Sequence, residues 1–117
     1  VFDMIIDFTE LQNEIVTDLT IELQDDDDFN AAKLSNKVKL AIKEIISKRN
    51  YGATSYTEEM ILSDLYNYYS MITNVARYDY NQIGAEGQSS HSENGTNRTW
   101  VKRDELFKGL VAFVDVI

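Results

Sequence analysis

The sequence predicts a mainly α fold: a small irregular helical bundle with a long central helix, a long polar loop able to form a hairpin, and a carboxy-terminal helix. Three observations carry the prediction. The 117 residues include no proline and only five glycines, so little interrupts a helical hydrogen-bond ladder. Three stretches place apolar residues every three to four positions, the period of a helix with one buried face. Ser55 and Glu58 have the spacing of a capping box, a helix-start signature.

The first predicted helix runs from about Thr9 to Leu19, with Phe8, Leu11, Ile15 and Leu19 on one face. Leu19, Ile21 and Leu23 then alternate with polar residues, a pattern that fits a short strand or the end of the same helix. Asp25 to Asp28 form an acidic run suited to the start of a second helix, where carboxylates complement the macrodipole. That helix carries Leu34, Val38, Ala41, Ile42, Ile45 and Ile46 as its apolar stripe. Lys48 and Arg49 suit its end, and Asn50 and Gly52 supply stop signals.

The third helix, predicted at 25 residues or more, follows Ser55 with Ile61, Leu65, Tyr69, Ile72, Val75 or Ala76, and Ile83 at helical intervals. It also carries Tyr66, Tyr68, Tyr78 and Tyr80, which cannot all face one small core. Tyrosines so spread fit either the wet edges of a core helix or a contact between subunits. Residues 84–99 are rich in glycine, serine, asparagine and threonine and read as a loop unusually long for a compact domain. Asn94-Gly95 is a strong turn pair within it. Beyond Trp100, Asp104 is positioned to cap a short helix bearing Leu106, Phe107, Leu110, Val111 and Val114.

The length fits one domain spanning 1–117, and the hydrophobic fraction of 44% argues against wholesale disorder. The absence of cysteine removes disulfides, thiol catalysis and thiolate zinc sites, and suits a reducing compartment. No apolar run approaches the roughly 20 residues of a membrane span, and the amino terminus does not read as a signal peptide. Net charge is −9, unevenly placed: residues 1–28 hold ten acids and no base, whereas residues 29–49 hold six bases against Glu44. Such segregation fits complementary surfaces or two helix faces that neutralise each other within one subunit. A nucleic-acid reader would need a dominant basic face, which an acidic chain does not offer.

The search for chemistry predicts no catalytic, cofactor or metal residues. Counted from Asp25, an EF-hand would need glycine sixth and glutamate twelfth; Asn30 and Asn36 stand there. His91 is the only histidine and lies in the polar loop without a rigid frame for a triad. No phosphate-binding glycine motif occurs, and the sequons at Asn94 and Asn97 matter only in a secreted chain.

The stretch from Tyr78 to Trp100, with its run GAEGQSSHSENG followed by an arginine and an aromatic, resembles the head–tail connector (adaptor) proteins of long-tailed bacteriophages, also described as DNA-packaging proteins. The likeness is specific over those residues and holds in outline over 30–114; the acidic first 28 residues depart from it. The resemblance implies a virion neck subunit, made in the bacterial cytoplasm, that forms a ring, commonly of twelve copies, under the portal protein. Such rings offer a surface to the next neck or tail-completion protein and extend a channel through which DNA passes without specific binding. No cofactor or membrane is implied. Portal or neighbouring-subunit contacts then fall to Gly84, Glu86, Gly87, Ser90 and His91, and to Glu93, Asn94, Arg98, Trp100 and Phe107. Lys37 and Lys43 are expected to form a charged face between subunits. The alternative expectation is a small acidic cytoplasmic regulatory or antitoxin-like protein that masks a basic partner.

Overall fold

A computed structural model describes residues 6–82 and 103–114. Four α-helices make up the bundle: α1 (Thr9–Leu23), α2 (Ala31–Arg49), α3 (Glu58–Asn67) and α4 (Tyr69–Asn81). Among the described residues there are also two 3-10 turns, at Tyr51–Ala53 and Arg103–Phe107, and no strand. The all-α class predicted from periodicity is the class observed.

Most residues of the predicted apolar stripes form the core, while Phe8, Ile46 and Tyr69 are half-buried at its edge. Leu11, Ile15 and Leu19 of α1 are buried, as are Leu34, Val38, Ala41, Ile42 and Ile45 of α2. Ile61 and Leu65 of α3 and Ile72, Val75 and Ala76 of α4 meet them. α2 is the spine: α4 packs along it most extensively, and α1 also rests on it. Leu19–Leu23 resolves as the last turn of α1, with Ile21 turned outward at 67% exposure.

Each local start signal is displaced from its predicted residue. The Asp25–Asp28 run does not cap α2. Asp26 closes a turn by accepting a hydrogen bond from the Asp28 amide, and Asn30 is the cap, its side chain accepting from Lys33 N at 3.0 Å. A cap must sit extended immediately before the first helical residue, and only Asn30 does so. At α3 the cap is Thr57, which accepts from Met60 N at 3.2 Å. Ser55 therefore stands outside the helix, and Glu58 lies in the first turn as a dipole partner instead of closing a capping box.

The long central helix is interrupted at Tyr68, whose φ of −104° and ψ of 17° leave the helical basin. Its amide still bonds to Leu65 O and its carbonyl accepts from Ile72 N, so the chain continues as α4 with little loss of hydrogen bonding. The carboxy-terminal helix is reduced to a 3-10 turn, and Asp104, expected to cap it, lies within that turn as its second residue. Gly109, at φ +97°, ends it in a conformation open to glycine, and the Phe113 amide bonds to Arg49 O instead of an earlier carbonyl of its own segment. Leu106, Phe107, Leu110 and Phe113 pack against the core from outside; Val111 and Val114, expected on the apolar side, are 67% and 75% exposed.

Candidate interaction surfaces

Two arginines bind the carboxy-terminal strap to the bundle. Arg49, at the end of α2, is 8% exposed and grips Asp64 of α3 in bidentate fashion, Nε to Oδ2 at 2.9 Å and Nη2 to Oδ1 at 3.0 Å. Its Nη1 donates to Val111 O, its guanidinium lies 4.0 Å from the Phe113 ring centre, and Tyr51 donates its hydroxyl to the same Asp64. Burial is the largest single influence and works against the Arg49 charge, but the hydrogen bonds to Asp64 and Tyr51 and the nearby Asp64 charge together outweigh it and hold the guanidinium protonated more firmly than usual. Burial and the adjacent carboxylate raise the Tyr51 hydroxyl well above its ordinary value, so it stays a donor. Asn50 takes the left-handed conformation that ends α2, at φ 58°, and donates from Nδ2 to Phe113 O at 2.9 Å.

Arg103 forms the second clamp. It bridges Asp79 on α4, with both oxygens at 2.7 Å, and Glu44 on α2, at 2.6 and 2.9 Å. The hydrogen bonds to Asp79 and Glu44 raise the Arg103 pKa, and Arg103 in turn holds the Glu44 carboxyl below its usual range. Asp79 and Arg103 are thereby held side by side on the bundle. Gly84, Glu86, Gly87, Ser90, His91, Glu93, Asn94, Arg98 and Trp100 lie outside the described residues, as do Ile83 and the Asn94-Gly95 turn pair. Phe107 is half-buried beside this clamp, with Lys48 Nζ 4.6 Å and the Arg103 guanidinium carbon 5.4 Å from its ring centre.

A third feature lies where α1 meets the α3–α4 junction. Asp7, Glu10, Glu14 and Asp18 line an open cleft of about 880 Å³, with the Tyr66 and Tyr69 rings stacked 6.4 Å apart as its aromatic wall. Tyr69 donates its hydroxyl to Asp18; burial first, and that bond second, raise its pKa. None of these four carboxylates forms an ion pair among the described residues; the ion-paired acid of α1 is Glu22, gripped by Arg77 at 2.7 Å.

Lys37 is half-buried and Lys43 exposed on α2, and no lysine among the described residues forms an ion pair. The acidic α1 and basic α2 therefore do not neutralise each other by direct contact within the subunit. The polar link between them is Gln12, which donates to Ser35. Among the described residues no three His, Asp or Glu side chains gather as a metal site, and no helix is long and apolar enough to cross a membrane. Sequence reasoning did not find the two clamps. Their one sequence signal is a single arginine at a helix end and another just after a polar stretch, and neither names its partner.

No protein-family model matches the chain, and neither the curated proteins nor the solved structures contain a match to it.

Proposed function

We propose that the chain is a contact-only structural adaptor of a phage neck, a subunit of a ring under the portal that joins head to tail and extends the DNA channel. The observation that carries this reading is the Arg103 clamp. By tying Asp79 and Glu44 to one guanidinium, it joins the end of α4 and the start of the described carboxy-terminal segment on the helical scaffold, which supports a docking role for the polar sequence between them. The likeness of Tyr78–Trp100 to connector proteins supplies the partner class, and the unpaired charges of α1 and α2 supply surfaces for neighbours. Co-expression with the portal protein of the same genome tests the reading. A stoichiometric complex with ring-shaped density is expected, and removal of residues 86–98 should abolish it. Absence of any complex with that portal protein refutes it.

The acidic cleft favours one second reading, a small regulatory protein that masks a basic partner. That reading requires a strict monomer by light scattering that forms a one-to-one complex with the partner and none with a portal.

A further inference from the structure

Among the described residues, folding leaves two surfaces of opposite charge unmatched on the same chain. One is the cleft of Asp7, Glu10, Glu14 and Asp18 with its wall of Tyr66 and Tyr69. The other is the outer side of α2, where Lys33, Lys37, Leu40 and Lys43 follow one another at helical spacing, and Leu40 is 46% exposed despite being apolar. The two share no residue, and no ion pair joins them within the subunit. Their dimensions are comparable. Lys33 to Lys43 spans about 15 Å of helix, and Glu10 to Asp18 spans about 12 Å of α1, with Asp7 just before the helix. Their chemistry agrees as well: ammonium groups flank an exposed leucine on one side, and carboxylates flank aromatic rings on the other.

We propose that the α1 cleft of one copy receives the lysine face of α2 from a second copy, with Leu40 against Tyr66 and Tyr69 and the ammonium groups among the carboxylates. The contact joins two different patches, so it is head-to-tail. Repeated, it generates a ring where the rotation closes and a filament where it does not. This inference rests on the reading of the chain as a ring subunit and names the faces that make the ring. The partner is a copy of this chain because the complementary surface, in charge and length, is already present on it.

The decisive experiment exchanges charges between two populations of the full chain. In the first, Glu10→Lys and Glu14→Lys make the cleft basic; in the second, Lys37→Glu and Lys43→Glu make the α2 face acidic. Each population then opposes like charges at every contact with itself, while a mixture pairs opposite charges in both directions. Light scattering at low salt, with helicity checked by circular dichroism, should show each variant associating about tenfold or more weakly than wild type. The equimolar mixture should recover wild-type association, and 0.5 M salt should weaken both recovered and wild-type assemblies, since screening at that strength acts over only a few ångströms. Leu40→Asp should weaken association without rescue by either charge variant. The same set is to be loaded onto the portal protein. If separate variants associate as wild type does, or the mixture stays dissociated, this interface is wrong although wild-type rings still support the ring reading. A wild-type chain that remains monomeric both alone and with portal overturns both.

Discussion

Asp64→Asn is the sharpest test of how the periphery is held. The substitution keeps the shape of the side chain but removes the charge that three donors share: Arg49 Nε, Arg49 Nη2 and the Tyr51 hydroxyl. The amide can accept at one oxygen only, and its NH2 group faces a guanidinium that is itself a donor, so Arg49 loses its counter-charge while staying enclosed. The paired side chains are 10% and 14% exposed, which places the ion pair close to the buried class. Removing one partner of such a pair costs about 3 kcal/mol, the lower end of the range because some solvent reaches it. At about 2.1 cal/mol/K of unfolding entropy per residue, a chain of this size loses roughly 4 °C of Tm per kcal/mol, hence about 12 °C. Calorimetry measures the shift. The double substitution Arg49→Met with Asp64→Leu removes both charges and should recover part of the loss, since two apolar groups need no counter-charge. A single-variant shift under about 4 °C, or a double variant no more stable than the single one, would refute the reasoning.

Other consequences follow from the same contacts. Arg103→Gln should cost only about 1 kcal/mol because the clamp is a third exposed, yet it should sharply raise proteolysis of the 103–114 segment, read by mass spectrometry. Glu44 is held below its ordinary 4.5 by Arg103, so its stabilising contribution is complete above that value and lost as pH falls through the lowered one. A pH titration of stability should show this loss in wild type and not in Arg103→Gln. Asn50→Ala should cost about 1–2 kcal/mol in denaturant melts, because an alanine at φ 58° is strained and the bond to Phe113 O is lost; Asn50→Gly should cost less. In native-state hydrogen exchange, Ile42→Ala should lower protection of α2 and α4 amides by about 3 kcal/mol and leave the Phe113 amide nearly unchanged. Equal loss at Phe113 would mean the strap opens only with the core.

Periodicity made the core legible because burial is a property of spacing. Leu11, Ile15 and Leu19, and then Leu34, Val38, Ala41, Ile42 and Ile45, could be named before any coordinate, and all are buried. Caps were less legible. Ser55, Thr57, Asp28 and Asn30 are all competent cap residues, and the choice among them depends on where tertiary packing starts the helix. The interruption at Tyr68 has no local signal: no glycine or proline marks it, and the apolar rhythm runs straight through it. It occurs where Asp64 ties α3 to Arg49 and the Tyr68 ring lies 5.1 Å from that guanidinium, a tertiary constraint that sequence spacing does not carry. The clamps were hidden for the same reason. Arg103 meets residues 24 and 59 positions away, and no pattern in the sequence links three such separated residues. The acidic α1 was visible as composition, but only the structure separates Glu22, which is paired, from Glu10 and Glu14, which line a cleft.

The division between arginine and lysine explains why these surfaces were left over at all. Arg49, Arg77 and Arg103 are the arginines among the described residues, and each makes a bidentate grip on a carboxylate of its own chain. A planar fork that matches a carboxylate suits fixed contacts within a fold. The described lysines make no such pair, and Lys48 instead covers the Phe107 ring. A compact, strongly hydrated charge on a flexible stem gains little from one rigid partner and keeps its charge available to an approaching surface. Arginine therefore closes the bundle around Asp64, Asp79, Glu44 and Glu22, while lysine collects on the outer side of α2. Among the acids that no arginine grips, Glu10, Glu14 and Asp18 line one side of α1. Had the lysines and arginines been exchanged, the strap would be poorly held and the outer face of α2 would be prone to lock onto its own acids. Side-chain chemistry thus separates the charges that close the fold from the charges that stay on its surface.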